Sequence, residues 1–220
     1  MYKNFIKGFL DFFLALFLLI FFLPLIIIIF LILFFKIRSV IFSQKRPGLN
    51  NKIFTIYKFK TLLDSKCKHS YRDKKKFMFG QFLRKTGLDE LPQLINVLKG
   101  ELSFVGPRPL LIKYLKIKEF KKHCRNKVKP GITGLAQIET FINKKKGENS
   151  KWKKQFELDK YYSENLNFII DLKILFITFL KVISTTKKDY HYRINSKLRK
   201  DGRISNITKA YYATYLPILF

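Results

Sequence analysis

The segment DFFLALFLLIFFLPLIIIIFLILFFKIR, residues 11–38, contains the longest apolar run in this chain of 220 residues. No charged residue occurs from Phe12 to Phe35, a length of 24 residues. At about 1.5 Å per helical residue this run extends roughly 36 Å, and a bilayer has a hydrocarbon core of about 30 Å. A cleaved signal peptide fits poorly, because the run is too long and no small-residue cleavage site follows it. We therefore interpret the segment as a membrane element.

Its orientation is open, because basic residues flank the run on both sides. Lys3 and Lys7 precede it, and Lys36 and Arg38 follow it. The positive-inside rule needs an asymmetry to orient a straight span. Pro24 offers an alternative, because proline removes a backbone donor and clashes with the preceding helical turn. Two interpretations remain: a kinked span, or a re-entrant helix that returns both ends to the cytoplasmic face.

The whole chain is strongly basic. Lys and Arg number 44 and Asp and Glu 15, so the formal net charge is +29. This excess favours anionic partners such as acidic lipids, nucleic acid or phosphorylated small molecules, although compositional drift explains part of it. Cys67 and Cys124 match no zinc or redox spacing, which indicates a reduced intracellular compartment. No Walker-type loop or dinucleotide-binding glycine pattern occurs, so those nucleotide sites are unsupported.

After the membrane segment the pattern predicts one mixed α/β domain. Residues 52–62 alternate imperfectly between apolar and polar side chains and predict a strand, whereas QKRPGLNN, residues 44–51, predicts a loop or turn. KPGITGLAQIE, residues 129–139, predicts a turn followed by a strand. The predicted helices cover two short pieces within residues 81–100, then about 111–122, 152–165 and 167–183, of which the last is interpreted as buried or interfacial.

The acids are so few that the adjacent pair Asp89 and Glu90, in TGLDELPQ, is informative. Pro92 follows the pair and favours the first turn of a helix. One interpretation is structural, because Thr86 and Asp89 have capping-box spacing and acids stabilise a helix start. The other is chemical. An ionised carboxylate at a helix start can act as a nucleophile, and its neighbour can bind Mg²⁺ together with substrate phosphates.

Phosphoryl chemistry also needs cations that neutralise the transferring group. Arg108 is well placed for this, because Pro107 and Pro109 restrict where it points. Each cation taken alone is more simply a solvated surface charge. The basic residues that lie in short motifs rather than in lysine runs are Arg46, Lys58, Lys60, Arg84 and Arg108.

Four stretches, taken in order, resemble the bacterial sugar transferase family: SQKRPGLNNKIFTIYKFKT, LRKTGLDELPQLINVLKGELSFVGPRPLL, KPGITGLAQ and LDKYYSENLNFIIDLKI. The similarity is greatest to the small monotopic phosphoglycosyl transferases and runs from about residue 1 to 185. The stretch from Leu83 to Leu111 is the most specific. The resemblance implies an enzyme at the cytoplasmic face of the bacterial inner membrane that begins glycan assembly. Such enzymes transfer a phosphosugar from a UDP-sugar to a polyprenyl phosphate, such as undecaprenyl phosphate, and release UMP.

The resemblance also implies roles for individual residues. Asp89 would be the nucleophile that forms a covalent phosphosugar intermediate, and Glu90 would bind Mg²⁺. Lys58, Lys60, Arg84 and Arg108 would shape the polyphosphate site, and the further candidate substrate-binding residues are Arg46 and Gln137.

The implied fold is a mixed, helix-rich α/β protein with interfacial amphipathic helices and a re-entrant membrane helix broken at Pro24. The expected organisation is a membrane helix in residues 1–38, a transferase domain in residues 39–185 and a basic tail in residues 186–220. At one position this chain departs from many relatives, because Leu23 replaces a serine. After Gln137 it continues IETFINKKK instead of Asn-Gly-Arg, so the candidate substitutes for that arginine are Lys144, Lys145 and Lys146.

Two other functions stay open. The first is a membrane-anchored protein whose basic domain holds nucleic acid or acidic lipid without catalysis. The aromatic residues are mainly phenylalanines of the apolar segments rather than a stacking ladder between cations, which counts against nucleic acid. The second is an inactive family member. A cytoplasmic UDP-sugar and a lipid phosphate must meet at one membrane face, so the leading function favours Pro24 as the turning point of a re-entrant helix.

Overall fold

The computed structural model describes residues 2–62, 77–142 and 148–183. The predictions that lie outside the described residues concern Cys67, Lys144, Lys145, Lys146 and the tail from residue 186.

The N-terminal apolar segment forms a bent pair of helices. A short π-helical turn, Tyr2–Ile6, leads into α1, Lys7–Phe21, and α2 follows at Leu23–Ile37. The two helices are bent by 62° at their break. Pro24 lies in the first turn of α2, where it lacks the N–H that an unbroken helix would bond to Ile20, and this accounts for the bend. No single helix in the described residues is long and apolar enough to cross a membrane, but the bent pair together meets that length and composition.

An antiparallel ribbon follows the helix pair. It consists of β1, Ile41–Pro47, and β2, Ile53–Phe59, with Phe42 opposite Lys58. The predicted strand is confirmed as β2. The loop predicted for residues 44–51 is wrong at its start, because β1 continues through residues 44–47. Polar residues persist there because a two-stranded ribbon needs no buried face at every position, and Pro47 is tolerated at the strand's end.

The acidic pair lies between two short helices. These are α3, Met78–Thr86, and α4, Gln93–Leu98, with a 3₁₀ turn at Leu88–Glu90 between them. The two predicted helical pieces are therefore confirmed. Gly87 separates α3 from the turn at φ 75°, a left-handed conformation that side-chain-bearing residues rarely adopt.

Buried Asn96 attaches α4 to the open edge of β2. Its Nδ2 donates to the carbonyl of Thr55 (2.7 Å), and its Oδ1 accepts from the backbone N–H of Tyr57 (3.2 Å). A side-chain amide has both a donor and an acceptor, so it can make the two backbone hydrogen bonds that a neighbouring strand would otherwise make. This attachment brings the acidic turn beside β2.

A small parallel sheet forms the next layer. It pairs β3, Ser103–Val105, with β4, Gly131–Thr133. The helix predicted over 111–122 is interrupted, because Ile117 is extended (φ −88°, ψ 121°). The intervening elements are a 3₁₀ helix at Ile112–Lys116, α5 at Lys118–Lys122 and a 3₁₀ helix at Cys124–Lys127. Past Gly134 the chain becomes helical as α6, Leu135–Ile142, so the strand predicted after the turn is limited to β4.

Two longer helices complete the described part: α7, Glu148–Glu164, which begins earlier than predicted, and α8, Phe168–Ile183. The inward face of α8 carries Asp171, which accepts hydrogen bonds from Lys7 Nζ (2.6 Å) and from the hydroxyls of Tyr2 and Tyr162 (2.7 Å each). Its outward face carries exposed phenylalanines and leucine: Phe168, Leu172, Phe176 and Phe179. On α8 a charged side chain is thus buried and several large apolar side chains are exposed, unlike the usual surface helix of a water-soluble protein.

The second half of the helix pair packs on the domain. One buried cluster joins α2 to β2 and α3, and its members are Ile29, Leu33, Val40, Phe59 and Leu83. Met1–Leu180 consequently forms one compact unit. Within residues 2–62, 77–142 and 148–180 its architecture is mixed and helix-rich, with two small sheets.

Candidate active site

A cleft with about 390 Å³ of empty space lies where the ribbon, the acidic turn and the GPRP loop (residues 106–109) meet. It is partly open to solvent. Of the predicted site residues it is lined by Arg46, Lys58, Glu90, Arg108 and Gln137. These five come from β1, β2, the 3₁₀ turn, the GPRP loop and α6, so only the fold brings them together.

Asp89 is buried in the 3₁₀ turn, with 9 % of its surface exposed. Burial raises the pKa of its carboxyl, and the neighbouring charge of Glu90 raises it further. The charges of Lys58 and Arg84 oppose this rise. Asp89 is therefore a poorly solvated carboxylate whose ionisation depends on nearby cations, and poor solvation favours nucleophilic attack.

Glu90 forms an ion pair with Lys58, whose Nζ donates to Glu90 Oε1. The described residues contain no group of three or more His, Cys, Asp or Glu that could hold a metal ion. Mg²⁺ does not require such a group, since it usually binds one or two carboxylates and completes its shell with substrate phosphates and water. The partly exposed carboxylate of Glu90 at the cleft fits that pattern.

Arg46 and Arg108 lie close enough for their charges to interact. Burial lowers the pKa of Arg46, and the charge of Arg108 lowers it further. Arg46 donates to Gln44 Oε1 (2.6 Å) and more weakly to the carbonyl of Pro109 (3.4 Å). Within the described part of the chain neither guanidinium has an acidic partner. Two neighbouring cations without an acidic partner provide the positive charge that binding of an anion requires.

The other predicted residues lie around the cleft. Arg84 is exposed on α3, near enough to Asp89 to lower its pKa. Lys60 follows β2, and its Nζ donates to Ser39 Oγ (3.1 Å) near the end of α2. Lys60 is thus not brought into the lining of the cleft, although Lys58 is.

The capping-box part of the structural interpretation is wrong, although both acids do lie in the first turn of the 3₁₀ helix. Thr86 Oγ1 donates backwards to the carbonyls of Phe82 (2.9 Å) and Leu83 (3.1 Å) rather than capping the turn. The 3₁₀ turn begins at Gly87 without a side-chain cap. Thr86 cannot cap the turn because it is the last residue of α3. Serine or threonine inside a helix often donates to a preceding carbonyl.

Sequence reasoning missed two glutamines in the lining, Gln44 and Gln93. Gln93 is buried and follows Glu90 by three residues, a spacing that puts both on one helical face. Gln44 precedes Arg46 by two residues, a spacing that shares one face of a strand. The spacing of Gln44 and Arg46 did not indicate a shared face, because residues 44–51 were interpreted as a loop and not as a strand.

Carboxylates beside converging cations have the chemical character of a phosphoryl-transfer site. The chain belongs to the bacterial sugar transferase family, whose family model matches residues 2–185. The resemblance inferred from the motifs is thereby confirmed.

Three relatives illustrate the family. An uncharacterized sugar transferase, EpsL of Bacillus subtilis, is 48% identical over 154 residues, which are 66% of this chain and 70% of that protein. The UDP-glucose:undecaprenyl-phosphate glucose-1-phosphate transferase of Klebsiella pneumoniae is 38% identical over 155 residues, 64% of this chain and 32% of the relative. The UDP-N-acetylgalactosamine-undecaprenyl-phosphate N-acetylgalactosaminephosphotransferase of Aeromonas hydrophila is 32% identical over 155 residues. These are 66% of this chain and 36% of the relative. This chain therefore spans about a third of the two relatives with named activities.

Proposed function

We propose that this protein transfers a phosphosugar from a UDP-sugar to undecaprenyl phosphate or another polyprenyl phosphate. The observation that carries the proposal is the cleft itself, where an acidic turn meets Lys58, Arg46 and Arg108. The names of the relatives supply the substrate class, since they act on UDP-sugars and undecaprenyl phosphate. Asp89 is buried in the same turn as Glu90, which lines the cleft, and a purely anion-binding protein would not need that buried carboxylate.

In the proposed reaction Asp89 is the nucleophile. Its carboxylate oxygen attacks the phosphorus that carries the sugar, a P–O bond forms, and the bond to the bridging oxygen breaks with its electron pair leaving on UMP. A phosphate oxygen of the lipid then attacks the same phosphorus and releases the Asp89 carboxylate. Burial aids both steps, because a poorly solvated carboxylate is a better nucleophile and water is kept from the intermediate.

The cations have separate roles in this scheme. Arg46 and Arg108 hold the diphosphate and offset the charge that develops on the departing UMP. Lys58 lines the cleft beside Glu90, where it can neutralise the phosphosugar and support the ionised form of Asp89. When bound at Glu90, Mg²⁺ would supply further charge neutralisation on the phosphate oxygens.

The first test replaces Asp89 by Asn, which keeps the shape and removes the nucleophile. We expect UMP release from a panel of UDP-sugars, in membranes containing undecaprenyl phosphate, to fall to background while the protein remains folded. Glu157→Gln, an exposed acid on α7, is the matched control and should retain activity. Turnover by the Asp89→Asn variant would overturn the nucleophile assignment, and absence of turnover by the wild type with every donor would overturn the proposed function.

We place the enzyme on the cytoplasmic face of the bacterial inner membrane, with α1 and α2 as a re-entrant pair. The support is the 62° bend together with exposed apolar side chains on both helices, such as Phe17 and Phe35. The outward phenylalanines of α8 fit the same apolar surroundings as an interfacial helix.

Accessibility labelling tests this placement. Cysteines introduced as Asn4→Cys or Ser39→Cys lie on either side of the helix pair, and a re-entrant pair keeps both on the cytoplasmic face. We expect neither to react in intact cells with a thiol reagent that cannot cross the membrane, and both to react after permeabilisation. Labelling of the Asn4→Cys variant alone would establish a straight crossing instead.

A further inference from the structure

The GPRP loop carries Arg108 into the cleft but has few backbone donors to hold it. Pro107 and Pro109 have no N–H group. On one side the loop is tied to the small parallel sheet, where the Gly106 N–H donates to the Thr133 carbonyl (2.9 Å) and the Gly131 N–H donates to the Pro107 carbonyl (3.1 Å). These two bonds fix the start of the loop. The remaining carbonyls need donors from elsewhere.

Two arginines supply those donors. Arg125 Nη2 donates to the Arg108 carbonyl, and Arg46 Nη1 reaches the next carbonyl, that of Pro109, at 3.4 Å. Arg46 belongs to the cleft and faces the substrate site. Arg125 does not line the cleft. It lines a second cavity, whose lining also includes Arg108.

Arg125 is itself held by a buried ion pair. Its Nη1 lies 3.0 Å from Asp159 Oδ2 on α7, and the two atoms are not aligned for a hydrogen bond. The guanidinium also lies over the ring of Phe156, with Cζ 5.3 Å from the ring centre. Burial raises the pKa of Asp159, and the charge of Arg125 opposes that rise. Burying two charges is costly, so a pair of this kind is weak evidence for stability alone.

Resting on the proposed function, we propose that Arg125 and Asp159 are positioning residues that hold the Arg108 carbonyl and thereby aim the Arg108 guanidinium at the diphosphate of the donor. The ion pair orients the planar fork of Arg125, and the fork fixes the carbonyl. A lysine could not replace it, because an ammonium group lacks the fork that reaches both partners. Anion binding in the cleft thus depends on two residues that touch no substrate.

The test measures UDP binding by titration calorimetry, a readout that needs no turnover. The variant Arg125→Met/Asp159→Leu replaces both charges by apolar side chains and leaves no unpaired buried charge. We expect the dissociation constant for UDP to rise roughly tenfold, within the range for coupled neighbours. Glu157→Gln, on the same helix as Asp159 but exposed, should leave it unchanged. If the double variant does not fold, Arg125→Lys takes its place in every arm, because it keeps a positive charge for Asp159 but lacks the planar fork.

A double-mutant cycle separates positioning from a general structural effect. In an Arg108→Met background the same replacement should weaken UDP binding by less than about twofold, because the group that it aims is gone. An undiminished effect in that background would overturn the proposal, as would unchanged UDP affinity in the Arg125→Met/Asp159→Leu variant or no UDP binding by the wild type. Wild-type protein that binds UDP through Arg108 but turns over no UDP-sugar would contradict the proposed function and leave the positioning role in place.

Discussion

The ion pair that lines the cleft is more exposed to water than the ion pairs elsewhere in the described residues. The side chains of Lys58 and Glu90 are 22% and 28% exposed, whereas those of Arg125 and Asp159 are 3% and 2% exposed. The pair between Lys7 and Asp171 is also buried, at 9% and 6%. The Lys58–Glu90 pair is only partly exposed, but it is closer to the exposed pairs that contribute about 0–1 kcal/mol and open at little cost, whereas opening a buried pair strands a charge. The cleft therefore has an exchangeable ionic contact, and the surrounding framework has fixed ones.

The largest effect on stability is expected at the buried pair that joins α1 to α8. Asp171→Ala leaves Lys7 buried without its partner and removes the acceptor of Tyr2. We expect the free energy of unfolding, measured by urea denaturation in a mild detergent, to fall by about 3–5 kcal/mol. Lys7→Met/Asp171→Leu is the matched control and should lose much less, because no charge is stranded. Equal losses in the two variants would show that charge burial is not the cause.

The cleft pair should affect activity rather than stability. Lys58→Met removes the cation beside Glu90, and we expect kcat/KM for the UDP-sugar to fall about 10²-fold. The free energy of unfolding should change by less than about 1 kcal/mol, as for an exposed pair. Lys45→Met, an exposed lysine on the neighbouring strand, should change neither quantity. A Lys58→Met variant that is destabilised but as active as wild type would reverse the contrast between the two kinds of pair.

The smallest expected effect concerns the pH profile. Since the pKa of Asp89 is raised, the nucleophile becomes protonated, and activity falls, at a higher pH than for an ordinary carboxyl. Arg84 is a neighbouring cation that lowers this pKa, so Arg84→Gln should move the acidic limb of kcat/KM upward by less than about one pH unit.

The controls for this pH profile are Arg84→Lys, which keeps the charge, and Lys85→Gln, which removes an exposed charge next to it in sequence. Both variants should keep the acidic limb of the kcat/KM profile at the wild-type pH. An unchanged or lowered acidic limb in Arg84→Gln would mean that its charge does not lower the pKa of Asp89.

Local elements could largely be predicted from sequence where one physical signal dominates. The apolar length and Pro24 predict a broken helix, the alternation predicts β2, and Gly100 ends α4 with a positive φ of 72° as a helix-terminating glycine does. Strand β1 was harder to predict, because Gln44, Lys45 and Arg46 show no alternation of apolar and polar side chains. Their strand conformation comes from pairing with β2.

The composition of the cleft could not be derived from spacing. Arg46, Lys58, Arg108 and Gln137 converge only through tertiary structure, and it was the family motifs that selected them in advance. Lys58 and Lys60 appear equivalent in sequence, yet the strand ends at Phe59 and Lys60 bonds instead to Ser39. Arg125 lies in a lysine-rich stretch, so neither its burial nor its contact with the GPRP loop had any sequence signal.

The bond from Lys7 to Asp171 has a consequence for the order of events during synthesis. It joins positions that are 164 residues apart. At about 5–20 residues per second the ribosome needs roughly 8–33 s to make that interval. During this time Lys7 lacks its native acid, so the first helix made is among the last to form its ion pair. A chain that stopped before α8 would contain every residue that lines the cleft but would leave Lys7 without Asp171.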